Sequence, residues 1–253
     1  MVESAGDPQE SGLAREAGRG RHARGGAPRE STGFVRWLGE TAIIVVSALV
    51  LSALVRAFLM QAFYVPSASM EDTLAVSDRI IASKITTTMG GVSRGEVVVF
   101  KDPGDWLPDP PPPAEGWRGL LQSGLTFIGL LPSDTGHDLV KRVIAVAGDR
   151  IACCDAQGRI LLNGTPLDEN YIIGPTDQVL FDVTVPVDGV FVMGDNRGNS
   201  RDSRFHLEVA SGAVPVDDVV GRVVLVLWPL SRIATVPIPG VFGEPGVAPP
   251  AIS

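Results

Sequence analysis

The chain has 253 residues, with 29 acidic against 21 basic side chains and a formal net charge of −8. That length holds one substantial domain with appendages. That charge excludes nucleic acid as the main partner, because phosphate binding needs a basic face.

Residues 1–36 form an arginine-rich tail with almost no large apolar side chains, and are expected to be disordered. Residues 37–65 follow as a membrane anchor. From Thr41 to Val55 no charge interrupts the run, Arg56 breaks it, and AFLMQAFYV continues to Val65. A bilayer needs about 20 residues of helix, so the span extends through Val65 only if Arg56 snorkels to the headgroups. Arginines at 15, 19, 21, 24, 29 and 36 precede the run, and no Lys or Arg occurs between Ala57 and Asp78. The positive-inside rule then puts the N-terminus in the cytoplasm and the rest outside the cell membrane. A cleaved secretory signal would carry an unusually long charged region first, and a buried core helix would show an apolar stripe where this run is apolar all round.

After Pro66 the signals are those of short strands. Ile80-Ile81-Ala82, Glu96 to Phe100, Leu139 to Val146, Val183 to Val185, Val190 to Met193 and Val220 to Trp228 are β-prone runs punctuated by Gly and Pro. Arg159 to Leu162 followed by Asn163-Gly164 signals a tight hairpin. The fold class expected is mainly β, an antiparallel sheet domain over 66–238 with one N-terminal transmembrane helix. Asp102 to His137 interrupts it. Its proline run predicts an extended loop, and Trp117, Leu120, Leu121, Leu125, Ile128 and Leu131 then mark one face of a short helix. That face either packs on the sheet or dips into the lipid interface. Residues 239–253 are expected to be a flexible tail.

Lysine is scarce: Lys84, Lys101 and Lys141 stand against eighteen arginines. A desolvated lysine can accept a proton near neutrality and arginine cannot, so a retained lysine is a candidate for that task. Lys141 lies in a strand where Leu139, Lys141 and Val143 share a face and Arg142 points away. Burial there would lower its pKa, and the shift matters because an ordinary lysine is neutral at pH 7 in only about one molecule in 2,500. Left at the surface, it would be inert. Ser67 and Ser69 end the anchor. Two apart in an extended segment, they point to one side, so one could attack a carbonyl while the other steadies the oxyanion. The competing reading is a turn or helix cap leading into Glu71 and Asp72. GDNRGNSRDSR, residues 194–204, is too polar for core. It fails as a calcium loop, since Arg197 and His206 would fall at ligand positions three and twelve. The adjacent Cys153 and Cys154 fit no metal site, and they are read as ordinary small half-buried residues, because neighbouring cysteines bridge only through a strained ring.

These pieces occur together: the anchor, then PSASMEDTL, RGEVVVF, KRVIAVAGD, GDNRGNSRDSR and GRVVLVLWPLSRI. The sequence resembles the type I signal peptidases, membrane-bound Ser/Lys endopeptidases that remove signal peptides from exported proteins. The resemblance covers most of residues 41–233. It implies Ser69 as nucleophile, Lys141 as general base, and Ser67 as an oxyanion donor beside the Ser69 N–H. It implies Ser200 as the hydroxyl that orients the Lys141 amine, with Met70, Asp195, Asn196, Arg197, Asp202 and Arg204 supporting the site. It implies no metal or cofactor, and partners that are signal peptides and the lipid bilayer. Asp72, Ala147 and Gly198 depart from the family pattern. Two competitors remain open: a Ser/His/Asp triad using His206 or His137, and an anchored β-domain that binds extended peptides without cutting them.

Overall fold

In a computed structural model, the structure describes residues 31–85, 91–104, 106–108, 116–117, 119, 124, 137–176, 178–244 and 247. The molecule divides into two compact units, residues 1–44 and 45–253.

Helix α1 spans Ser31–Phe58. Its stretch Gly33–Val55, with a mean hydropathy of 2.2, is long and apolar enough to cross a bilayer, and none of it is buried against protein. The helix therefore starts and stops earlier than the anchor expected over 37–65. Residues Met60–Tyr64 leave the helix and form strand β1. The reason is pairing: β1 runs antiparallel to β2 (Arg79–Ser83), with Phe63 opposite Ile80. Phe63 and Val65 join the core and are not offered to lipid.

The remaining strands are β3 (Val97–Lys101), β4 (Asp138–Val146), β5 (Arg150–Cys153), β6 (Ile160–Leu162), β7 (Thr165–Pro166), β8 (Phe181–Thr184), β9 (Gly189–Met193), β10 (Val214–Pro215), β11 (Val219–Trp228) and β12 (Ala234–Thr235). Among the described residues, eight strands build one antiparallel sheet in the order β1-β2-β11-β3-β4-β9-β10, with β12 beside β11, and β7-β6-β5-β8 build a second. The β6–β7 turn has the backbone its sequence asks for. Asn163 and Gly164 both sit at positive φ, 53° and 84°, the handedness that matches a tight hairpin to strand twist.

Strand β4 is buried on both faces, which is why it reads as a nearly continuous apolar run. Val140 packs with Phe63, Ile80, Val97 and Val99 in one core cluster, while Leu139 and Val143 pack with Val98, Phe100 and Val192 in another. A third cluster joins Ile144, Ile151, Leu162 and Phe191 to the small sheet.

Two other expectations change. The tail is not all loose: Val247 is buried, and Val241 and Phe242 pack against the third cluster. Cys153 and Cys154, both half-buried and packed against that same cluster, are bonded to each other as a vicinal disulfide. The apolar face expected in the insert lies outside the described residues except for Trp117, which is exposed.

Candidate active site

The chain from Val65 enters a short 3-10 turn at Ala68–Met70. Ser67 sits where a cap would sit but its side chain caps nothing, so the helix-cap reading of the serines does not hold. Met70, 1% exposed, plugs the turn into the first core cluster. That plug holds Ser69 against strand β4.

Lys141 faces it. The register pairs Lys141 with Val98, which is fully buried, and the lysine itself is 3% exposed. Lys141 Nζ donates to Ser69 Oγ at 2.6 Å. Ser67 Oγ lies 3.3 Å from Ser69 Oγ. Three side chains from two distant segments thus meet, with Ser69 and Lys141 buried and Ser67 at the exposed edge. Burial lowers the Lys141 pKa from 10.5 to about 8, with the negative charges of Asp202 and Asp195 resisting the fall and Arg204 assisting it. Desolvation wins because an ammonium loses its water while both carboxylates are largely neutralised by their own arginines.

Those arginines explain the polar loop. Arg142 points away from Lys141 as expected, yet it is buried too: Nε and Nη2 hold the two Asp195 oxygens at 2.8 and 2.7 Å. Thr73 Oγ1 donates to the same carboxylate at 2.5 Å. Arg204 grips Asp202 through Nε and Nη2 at 2.8 and 2.9 Å, and Asp202 accepts the Gly194 N–H at 3.0 Å. Arg197 pairs with Glu169 and donates to Thr176 Oγ1. Buried charges of this kind are tolerated only when paired and hydrogen-bonded. The loop in turn holds the serine. Asn196 N donates to Ser69 O and Asn196 Nδ2 to Ala68 O, each at 3.1 Å.

Gly194 is a point of close contact. A Cβ there would stand 2.3 Å from Ser200 Oγ and 2.4 Å from Ser69 O, so only glycine lets the loop approach this closely.

One expected contact is missing. Ser200 is buried, but its Oγ has no hydrogen-bond partner among the described residues. The Lys141 amine directs its bond to Ser69, and the Ser200 hydroxyl packs against Gly194 instead. The histidine alternative also finds no support in the geometry. His206 stacks on Trp106 with ring centroids 4.4 Å apart, and burial together with Arg201 lowers its pKa.

Sequence reasoning missed Arg142, Thr73, Glu169 and Tyr171, whose ring lies 4.7 Å from the Arg142 guanidinium. Arg142 beside Lys141 was visible as an arginine in an apolar strand, which burial obliges to find a carboxylate. Thr73, Glu169 and Tyr171 carried no such signal. Among the described residues, no group of histidine, cysteine and carboxylate side chains is arranged to hold a metal ion.

The family model described as "Signal peptidase, peptidase S26" matches residues 38–228. Signal peptidase I of Mycobacterium tuberculosis is 35% identical over 226 residues, covering 77% of this chain and 74% of that protein. Signal peptidase I of Leptolyngbya laminosa is 35% identical over 170 residues, covering 67% and 70% respectively. A solved signal peptidase I from Enterococcus faecalis aligns with 52% of this chain and 95% of its own, at 22% identity and a TM-score of 0.33. The protein is a serine peptidase. It belongs to the signal peptidase family, peptidase S26.

Proposed function

We propose that this chain removes N-terminal signal peptides from exported preproteins at the outer face of the cell membrane, through a Ser/Lys acyl-enzyme mechanism. The observation that carries the reading is the 2.6 Å contact between the buried Lys141 amine and Ser69 Oγ. A serine hydroxyl is a weak nucleophile until a neighbouring base takes its proton. With its pKa brought down to about 8, Lys141 is neutral in about one molecule in ten at pH 7, against roughly one in several thousand for an ordinary lysine. In that state the Ser69 O–H donates to Nζ along the same short line.

The steps balance as follows. Ser69 Oγ adds to the scissile carbonyl as Lys141 takes its proton. The oxyanion forms beside the Ser69 N–H and the Ser67 hydroxyl, which lies 3.3 Å from the attacking oxygen. Collapse expels the mature protein's amine, protonated by the Lys141 ammonium. A water then gives a proton to the neutral Lys141 amine as it attacks the acyl carbon, and when the acyl C–O bond breaks the Lys141 ammonium returns a proton to Ser69 Oγ, restoring Ser69 and releasing the signal peptide with a new carboxyl terminus. The loop at 194–204 is a positioning element: its ion pairs fix the Ser69 backbone and set the field at Lys141. The helix that can cross a bilayer holds this apparatus where signal-peptide junctions emerge, and the arginine-rich tail favours a cytoplasmic N-terminus.

The test is cleavage of a preprotein by the purified full chain in detergent. Ser69→Ala and Lys141→Ala are expected to abolish processing, while His206→Ala keeps it. Retention of cleavage by Lys141→Ala would refute the mechanism. Loss of cleavage only with His206→Ala would favour a histidine triad.

A further inference from the structure

Two ion pairs hold consecutive residues of the polar loop, and one aromatic side chain touches both. Arg142 binds the two carboxylate oxygens of Asp195. Arg197, paired with Glu169, donates through Nε to Gly194 O at 3.1 Å. The next residue, Asn196, holds the carbonyls of Ser69 and Ala68. Tyr171 reaches both pairs. Its hydroxyl donates to Glu169 Oε1 at 2.5 Å, and its ring lies over the Arg142 guanidinium with Cζ 4.7 Å from the centroid. That separation is within the range of a cation–π contact.

The segment that carries Tyr171 is fastened to the loop. Ile173 N donates to Asp195 O at 2.8 Å, and Arg197 N donates to Ile173 O at 2.7 Å. A Cβ on Gly174 would stand 3.0 Å from Gly198 N, so the two backbones run close together. Phe242 packs beside the Tyr171 ring, with centroids 6.2 Å apart. The ring is pinned by its own hydrogen bond, by the backbone pairing two residues on, and by a second aromatic.

The ring also covers Arg142. Tyr171, Arg142 and Thr73 line a cavity of about 440 Å3 with Val226, Arg232 and Val236, whereas Asp195 is fully buried and lies outside that lining. Truncating the ring lets water compete for the guanidinium and leaves the carboxylate in a low dielectric, with less of its charge offset. Asp195 is one of the carboxylates that keep the proton on Lys141. A looser Arg142–Asp195 pair therefore makes that lysine a poorer base at neutral pH.

We propose that Tyr171 is a positioning residue for the peptidase reaction: its ring holds Arg142 on Asp195 while its hydroxyl holds Glu169 on Arg197. One side chain, in contact with neither Ser69 nor Lys141, thereby sets the place of the first and the charge felt by the second. Gly194 and Asp195 are gripped from two pairs at once, and Asn196 passes that placement to the Ser69 backbone. This role rests on the Ser69–Lys141 mechanism proposed above and adds to it the element that keeps the base and the nucleophile in step.

The experiment is the pH dependence of kcat and KM for the full chain in detergent, comparing the parent with Tyr171→Leu and Tyr171→Phe on one signal-peptide substrate. Thermal melts establish that each variant is folded. In Tyr171→Leu the bend should rise by about half a pH unit, the roughly threefold scale of one cation–π contact. Its kcat above the bend should fall about tenfold as Ser69 moves off line, with KM within about twofold of the parent's. The deficit at pH 7 then exceeds that at pH 10 by about threefold. Tyr171→Phe keeps the ring and loses only the bond to Glu169, so it should keep the parent's bend and lose about threefold in kcat. Should Tyr171→Leu fail to fold, Tyr171→Met fills much of the same space without a π face and should move the bend in the same direction. A leucine variant slowed by one factor at every pH, with its bend unmoved, shows a purely structural part and overturns the proposal. A phenylalanine variant whose bend moves with the leucine variant's overturns it as well. A parent profile with no bend near pH 8 refutes the Lys141 mechanism and this role with it, whereas a normal parent with an unaltered leucine variant refutes this role alone.

Discussion

The sharpest consequence of the site is its pH dependence, because the rate should track the neutral fraction of one buried amine. With the Lys141 pKa at about 8, that fraction is about 1% at pH 6, about 9% at pH 7 and about half at pH 8. The observable is kcat/KM for a peptide spanning a signal-peptide cleavage junction, measured from pH 6 to 10 with the full chain in detergent. It should rise tenfold per pH unit at first and level off above pH 8 to 9. An unshifted lysine, at 10.5, would still be gaining about eightfold between pH 9 and 10. Asp202→Asn removes the largest influence that holds the proton on, so the bend should move to lower pH. The shift also carries a stability cost. Below pH 8 the amine is charged in both folded and unfolded chains, and the folded state bears the whole penalty of burying it, about 3 kcal/mol. As pH rises from about 8 to 10.5 the folded amine is already neutral while the unfolded one is still losing its proton, and the penalty is relieved. A profile with no bend below pH 9.5, or none at all between 6 and 10, would refute the assignment of Lys141 as the base.

Three further substitutions probe the rest of the argument. Ser67→Ala should lower kcat by about 10²–10³ with little change in KM, as loss of one oxyanion donor does, whereas a role in substrate binding alone would appear in KM. Gly194→Ala should cut activity at least about tenfold while the protein still folds, because a methyl group there displaces the Ser69 carbonyl and the Ser200 hydroxyl; single-turnover kinetics would show it. Phe63→Ala should destabilise the β-domain by about 3–5 kcal/mol in denaturant melts, the cost of emptying a buried aromatic site. A residue of the membrane span would show no such effect.

Much of this was legible because the local code was strong. Asn163-Gly164 announces a turn that needs two positive-φ residues, and the turn is there. The strand around Lys141 and its apolar neighbours could be read from alternation, and so could the opposite direction of Arg142. The boundary of the anchor was misread because AFLMQAFYV is apolar enough for either lipid or protein core. Hydropathy cannot tell those two solvents apart, and only the pairing of Phe63 with Ile80 does. The disulfide between Cys153 and Cys154 was missed for a related reason: which way two adjacent sulfurs turn is set by what surrounds them.

By itself the sequence determined the order of the parts: a helix long enough to cross a bilayer, a serine pair at its end, short strands, one lysine in an apolar strand and a loop too polar to be core. Each of these is a property of neighbouring residues, which periodicity and composition record directly. Tertiary structure decided what brings residue 69 within 2.6 Å of residue 141, which carboxylates the buried arginines hold, and that the Ser200 hydroxyl has no hydrogen-bond partner among the described residues. The first of those outcomes joins segments 72 positions apart, and all of them rest on sheet register and on the need of every buried charge for a partner.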